Sequence, residues 1–214
     1  MNTDERIAWF TEKVEDILGF KHNLENLAGT DYFTAPASTT KHHAYEGGLF
    51  DHSKEMFEEL LSINAHKHDR FLEKYDKIGV FPFTYRECFV IGMFHDLCKV
   101  NLYVDNYVYN KKFKRSQPIS EENPKYVISE AKPTERDEKQ LTLPHGERSA
   151  RYAAKLLPDL TEREYHYIRW HMEHNEPGWL GHDNVQHKME KFYPEWRLVH
   201  AADLIASYER RDTA

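Results

Sequence analysis

The segment that most limits how this chain can fold is its most apolar one. Residues 84–97 are opened by Pro82 and Thr84 and run through Phe89, Val90, Ile91, Met93 and Phe94. The spacing predicts a helix, and a helix that is apolar all round has to be the central, buried one. It ends on the adjacent pair His95-Asp96. A carboxylate carried to that depth is costly unless a cation or hydrogen-bond donors compensate it. The pair alone leaves two readings open. Asp96 caps a neighbouring helix while His95 bonds a backbone carbonyl, or the two hold a metal.

Helical periodicity recurs on either side of this segment. Residues 4–18 space Ile7, Phe10, Val14, Ile17 and Leu18 for one helix face, with Gly19 as the stop. Residues 29–45 read as a loop, and a helix follows from Gly48 to Asn64 with a stripe of Leu49, Met56, Phe57, Leu60 and Leu61. Further helices are expected at 145–157, 161–174 and 194–210, with a loop containing Pro177, Gly178 and Gly181 before the last. Between 100 and 130 the chain turns to strand formers: Leu102, Tyr103, Val104, Tyr107, Val108, Tyr109 and Phe113, then Tyr126-Val127-Ile128. With Asn110-Lys111-Lys112 as a turn, this stretch reads as a β-hairpin excursion, and the polar residues 131–142, with Pro133, as a loop. The expectation is an all-α helical bundle, one domain over residues 1–214, with its core at about 41–210 and a small β-hairpin flap at about 100–130.

Composition narrows the function classes. The net charge of −7 argues against binding long duplex DNA by bulk electrostatics, though it leaves room for a locally basic phosphate site. The two cysteines, Cys88 and Cys98, form neither a CxxC pair nor a disulfide framework, which fits a reducing cytoplasm. No secretory signal is visible at the charged N-terminus, and the longest apolar run, Cys88 to Phe94, is too short to span a membrane. The unusual number is fourteen histidines. His66 and His68, beside Lys67 and Asp69, read as surface residues; the others are decided by position.

Several histidines and aspartates fall on helix faces meant for the core. His52 stands three residues after Leu49 and four before Met56. Asp203 stands four after Val199 and three before Ala206. His145 precedes Ser149, Tyr152, Ala153 and Leu156 at helical spacing, and His171 follows Ile168 by three. One such residue is ordinarily a satisfied core group. Five helices each aiming one inward are hard to satisfy without metal. Neutral imidazole with carboxylate suits Mn, Fe, Co, Ni or Zn, and carboxylate with water suits Mg.

The order His52, His95-Asp96, His145, His171, Asp203 resembles the H…HD…H…H…D pattern of the HD superfamily of metal-dependent phosphohydrolases. The local strings are more specific. His42-His43-Ala44-Tyr45-Glu46-Gly47-Gly48-Leu49-Phe50-Asp51-His52 is similar to the HHxYxGGLxxH segment of HD-domain 3′→5′ exoribonucleases and related bacterial and phage proteins. Met93 to Lys99 resembles their LxHDxxK segment. Leu143 to Ser149 and Ile168 to Met172 resemble the LPxGHGExS and IRWHM strings of small stand-alone HD hydrolases, the former shortened so that Pro144 directly precedes His145. Leu198 to Asp203 resembles their closing helix. The likeness spans about residues 41–208.

The resemblance implies an HD-domain bundle with one or two divalent metal ions. His52, His95, Asp96 and Asp203 would hold one metal; His145 and His171 would hold a second, with Asp96 bridging. His174, one turn after His171, is an alternative ligand or an outer group. Lys99 would meet a substrate phosphate, against the reading of a cation at a helix C-terminus. Arg148 and Arg169 either clamp phosphate or pair with glutamates such as Glu147 or Glu173. His42 and His43 either line the substrate entrance or order their loop, and Gly47-Gly48 permits a tight turn into the next helix. In the flap, Tyr103, Tyr107, Tyr109 and Phe113 beside Lys111, Lys112, Lys114 and Arg115 either meet a nucleobase and its phosphate or pack on the bundle.

The expected activity is cleavage of a phosphoester or phosphoanhydride in a nucleotide-like small molecule. Short single-stranded nucleic acid, attacked as a 3′-exonuclease would, is the competing substrate. Net acidity and the lack of an attached OB-like domain favour the small one. A non-catalytic nucleotide-binding module is disfavoured because all six ligands are retained. A di-iron oxygenase remains as a third class.

Overall fold

Local signals set where each helix begins and ends. The computed structural model describes residues 1–19, 25–75, 83–130, 134–137, 139, 143–172, 188–189 and 191–208, with the side chains of residues 25 and 66–75 excepted. Helix α1 (Thr3–Leu18) starts on Asn2, whose side chain accepts from the Glu5 N–H while the Glu5 carboxylate takes the Asn2 N–H. It stops at Gly19, left-handed at φ 69°, as expected. A short α2 (Glu25–Ala28) leads through turns to α3 (Gly48–Tyr75). This helix runs beyond the expected Asn64, because good helix formers such as Lys67, Arg70, Leu72 and Glu73 extend it past the end of the apolar stripe. The reading of His66 and His68 as surface residues concerns side chains outside the described set.

The central helix α4 (Tyr85–Phe94) is capped by Thr84 with Glu87 and is buried over Glu87–Phe94. It ends sooner than the expected residue 97. Asp96 leaves helical geometry at φ −107°, ψ 17°, and a single 3-10 turn, Leu97–Lys99, follows. On a regular helix, neighbouring side chains point about 100° apart. The early exit lets His95 and Asp96 address one place.

Helices α5 (His145–Leu156), α6 (Glu162–Trp170) and α7 (Trp196–Tyr208) complete the bundle. α3 packs against both α4 and α7, and α5 packs against α6 and the 3-10 turn. The core gathers Phe10, Phe50, Phe89, Phe94, Tyr167, Ile168 and Val199. Two glycines allow close approach. A Cβ on Gly92 would sit 2.6 Å from the Phe57 backbone, and one on Gly146 would sit 1.9 Å from the Arg169 carbonyl oxygen. Gly47 has φ 80° and leaves room for the Arg6 guanidinium, which holds both oxygens of Asp51 at 3.0 and 2.9 Å and so ties α1 to α3. On the far side of α4, Arg163 bridges Glu87 at 2.7 Å and Glu195 at 2.8 Å, and the Tyr167 hydroxyl donates to Glu195 at 2.7 Å.

The excursion between the 3-10 turn and α5 differs from a single hairpin. It comprises β1 (Tyr103–Asp105), β2 (Tyr107–Tyr109), β3 (Tyr126–Ile128) and β4 (Thr134–Arg136). β2 pairs antiparallel with β3, and β1 with β4. The turn at Asn110 exists, with Phe113 N–H donating to Asn110 O at 3.0 Å. No strand returns directly from it, because Pro118 and Pro124 interrupt the following stretch and proline cannot donate to a ladder. Residues 134–136, expected as loop, are a strand because Tyr103, Val104 and Asp105 supply its partners. Thr-Glu-Arg has no apolar alternation to announce it. No helix among the described residues is long and apolar enough to cross a membrane.

Candidate metal centre

The centre forms where the ends of three helices meet the inner faces of two others. His52 comes from α3, His95 and Asp96 from the end of α4, His145 from the first residue of α5, His171 from just past α6, and Asp203 from the middle of α7. All six expected ligands meet there. His52 Nε2 lies 3.2 Å from His95 Nε2, 3.2 Å from Asp203 Oδ1 and 3.4 Å from Asp96 Oδ2. His95 Nε2 is 3.5 Å from Asp96 Oδ2 and 3.7 Å from Asp203 Oδ1. On the other side, His145 Nε2 is 2.7 Å from Asp96 Oδ1 and 3.2 Å from His171 Nε2, which is itself 3.8 Å from that oxygen.

These spacings suit a cation. Metal–ligand bonds of about 2.0–2.2 Å place adjacent ligand atoms roughly 3.0–3.5 Å apart. The donor chemistry agrees. His95 Nδ1–H donates to Gly92 O at 2.8 Å, and His171 Nδ1–H donates to Ile168 O at 2.6 Å. A carbonyl only accepts, so Nδ1 carries a proton in both rings, and Nε2 is the atom each ring turns into the cluster. Asp96 Oδ2 and His52 Nδ1 are buried without a hydrogen-bond partner among the described residues. Lys99 Nζ stands 2.5 Å from Asp96 Oδ2 and forms an ion pair with it. Buried His, Asp and Cys groups here could thus hold a metal ion.

Charge in the metal-free cluster is balanced by protons. Burial opposes ionisation of Asp96, but Lys99, His95 and His145 outweigh it and hold the carboxyl well below its usual range. Asp203 is likewise held low by His52 and His95 against its burial. Burial disfavours charge on His52 too, yet Asp203 and Asp96 raise its pKa. At His145 burial is overcome by Cys98 and Asp96, which push it up to about 10. His171 is lowered to about 3 by burial and by the neighbouring His95 and His145. At pH 7 His145 therefore carries a proton that a cation must displace. Metal uptake is expected to release at least one proton and to weaken as pH falls. Calorimetric titration with Mn or Zn in two buffers of different ionisation enthalpy measures this; identical heats in both would contradict it.

The remaining expected residues are less uniform. Lys99 is at the centre, only 9% exposed. His43 is buried, with Nε2 2.9 Å from Glu55 Oε2, and its ring lies 5.3 Å from that of His52. It braces the loop rather than opening to solvent. Arg169 is engaged by Glu147 and stacks over Trp170 at 4.2 Å, which matches the ion-pair alternative. Arg148 is half-buried on α5, one turn past His145. Tyr107 is 59% exposed out on β2, where its hydroxyl donates to Asp105 Oδ2 at 3.2 Å. His174 and Glu173 lie outside the described residues.

Of four further residues near the centre, Cys98 and His200 had no role from sequence, while His42 and Tyr103 had alternatives left open. Cys98 Sγ is 3.0 Å from His145 Nδ1 and forms a potential metal-binding group with Asp96 and His145. Its place two residues after Asp96 was the available signal. His42 groups with His43 and His52, and burial lowers it to about 3. His200 Nδ1–H donates to the His171 carbonyl at 2.8 Å, fixing the chain that carries that ligand. Tyr103, at the root of the flap, is half-buried and within electrostatic reach of Lys99 and Asp96. No family model, curated protein or solved structure matches the chain.

Proposed function

We propose that the chain is a divalent-metal-dependent phosphohydrolase of the HD superfamily, cleaving a phosphoester or phosphoanhydride bond of a nucleotide or related substrate. One observation carries the reading. The two oxygens of Asp96 face different imidazole pairs, Oδ2 toward His52 and His95 and Oδ1 toward His145 and His171. A carboxylate shared in that way is the natural spacer between two cations.

His52, His95, Asp96 and Asp203 would hold one ion, and Asp96, His145 and His171 a second, chosen from Mn, Mg, Fe, Co, Ni and Zn. Such ions supply Lewis acidity toward phosphoryl oxygens and acidify water to near neutral pH. The chain's own groups do the rest. Lys99 presents a buried ammonium beside Asp96 and meets a phosphate oxygen as a point charge. His42, lowered to about 3 mainly by burial, packs its ring 4.8 Å from that of His52 and engages His43 and Ser207 through its two nitrogens. The Gly92 and Ile168 carbonyls hold His95 and His171 in the required tautomer.

A screen of the purified chain against nucleotides, cyclic nucleotides and short oligonucleotides, with each metal added in turn, tests the reading. Metal-dependent phosphate release supports it; oxygen consumption by a mixed-valent di-iron form without phosphate release would replace it with the oxygenase class. Lys99→Ala is expected to lower kcat/KM by about 10²-fold, the scale for one charge-stabilising group. Its metal affinity should hold or rise, because Lys99 competes for Asp96 Oδ2 in the metal-free state. Lost metal in that variant would show that Lys99 supports the ligands instead.

A further inference from the structure

We propose that the outer face of the β2–β3 pair is a platform for single-stranded nucleic acid, stacking bases on its tyrosines and meeting phosphates with the adjoining basic loop. The register sets Tyr107 opposite Ile128 and Tyr109 opposite Tyr126. Directly opposed residues share a face, as do residues two apart on one strand. All four are therefore on one side, and they are 59%, 43%, 45% and 53% exposed. Three tyrosines and an isoleucine on one open face form an apolar patch that a monomer normally covers or uses. The rings are held in place: Tyr109 meets Tyr126 and Phe113 edge-on, each at 6.2 Å, and Asp105 takes the Tyr107 hydroxyl.

Charge chooses the occupant. In a chain of net charge −7, the β2–β3 connection, residues 110–125, carries Lys111, Lys112, Lys114, Arg115 and Lys125 against Glu121 and Glu122. Lys125 leads into β3, with Nζ 5.5 Å from the Tyr126 ring centroid. The loop carrying these cations is fixed from within. Asn123 is buried; its Oδ1 accepts from Lys114 N–H at 2.9 Å, and its Nδ2 donates to the carbonyls of Lys114, Gln117 and Pro118 at 3.1, 3.3 and 3.0 Å. Asn110 Nδ2 donates to Pro124 O at 2.8 Å and closes the other end. Cations on an ordered loop lose little freedom when they bind phosphates. A second copy of the chain would bring the same cations face to face, which repels. A duplex hides its base faces, whereas a single strand offers them for stacking.

The flap that carries the platform is rooted beside the metal centre. β1 begins four residues after Lys99, one residue separates β1 from β2, and Tyr103 at the root reaches Lys99 electrostatically. A strand held on the flap would be delivered toward Asp96. Its cleavage there rests on the hydrolase reading, but its binding does not.

Fluorescence anisotropy of a labelled oligothymidylate, with the full chain as purified and EDTA present to block turnover, separates the two. Tyr107→Ala and Tyr126→Ala are each expected to weaken binding about tenfold, as loss of one stacked base does, while Tyr107→Phe stays within about twofold of wild type. Log affinity should fall with log salt by roughly 0.7 per phosphate contacted, so Lys111→Ala with Lys112→Ala should flatten the slope by about 1.4. No binding by the wild-type chain at low salt, or unchanged binding by both alanine variants, overturns the platform. So does a wild-type dimer in sedimentation that Tyr107→Ala returns to monomer, since that assigns the face to a second copy. Oligonucleotide binding with no metal-dependent hydrolysis of any phosphate ester would leave the platform and remove the hydrolase reading. Hydrolysis of a small aryl phosphodiester without oligonucleotide binding would do the reverse.

Discussion

Asp96→Ala is expected to remove metal from both clusters and to lower turnover by at least about a thousandfold, the upper scale on which one strong electrostatic group acts. The size follows from position: Oδ1 and Oδ2 each serve a different imidazole pair, so one substitution empties both sides. The metal-free fold should suffer too. Lys99 and the protonated His145 lose the buried anion they share, and leaving a buried charge unpaired costs about 3–5 kcal/mol. Asp96→Asn, which keeps the shape and one acceptor oxygen, should melt nearer to wild type and still lose metal. Metal analysis, turnover and thermal melting in chelator read these effects separately. Wild-type turnover in Asp96→Ala would refute the assignment.

The second large effect is expected at Gly146, which binds nothing. A methyl group there would lie 1.9 Å from the Arg169 carbonyl oxygen, so Gly146→Ala must push α5 off α6. Overpacking of this kind costs about 1–3 kcal/mol, which for a chain of this size lowers Tm by roughly 3–10 °C. α5 carries His145 and the end of α6 carries His171, so the pair at 3.2 Å should separate. The variant should lose the second cation and keep the one at His52, His95 and Asp203. A two-cation stoichiometry with wild-type Tm would show that α5 shifts without disturbing the centre. Gly92 plays the same part between α3 and α4, the helices of His52 and His95.

His52 and Asp203 were legible because each sits on a helix face whose neighbours are apolar, and helical spacing can be counted along the chain. His52 between Leu49 and Met56 and Asp203 between Val199 and Ala206 are buried as that spacing requires. The groups around them were harder to read. Cys98 meets His145 only because the 3-10 turn packs on α5. His200 acts through a backbone carbonyl twenty-nine residues earlier, a contact with no local signature. For Arg169 the sequence left both the phosphate clamp and a pair with Glu147 open, and Glu147 beside it from another helix matches the second. β4 is a strand only by virtue of β1.

By itself the sequence determined the helical class, the central place of the apolar segment that begins at Thr84, the helix start at Thr84 and stop at Gly19, and the inward side of His52 and Asp203. These depend on periodicity and on bonds closed within a few residues, both of which are written locally. Only the tertiary structure decided the rest: the exit of Asp96 from α4, the division of its two oxygens, the pairing of the four strands and the glycine contacts that bring helices within reach. Those features depend on which distant segments touch, and a distance of 3 Å between residues far apart in the chain is set by the packing of whole helices.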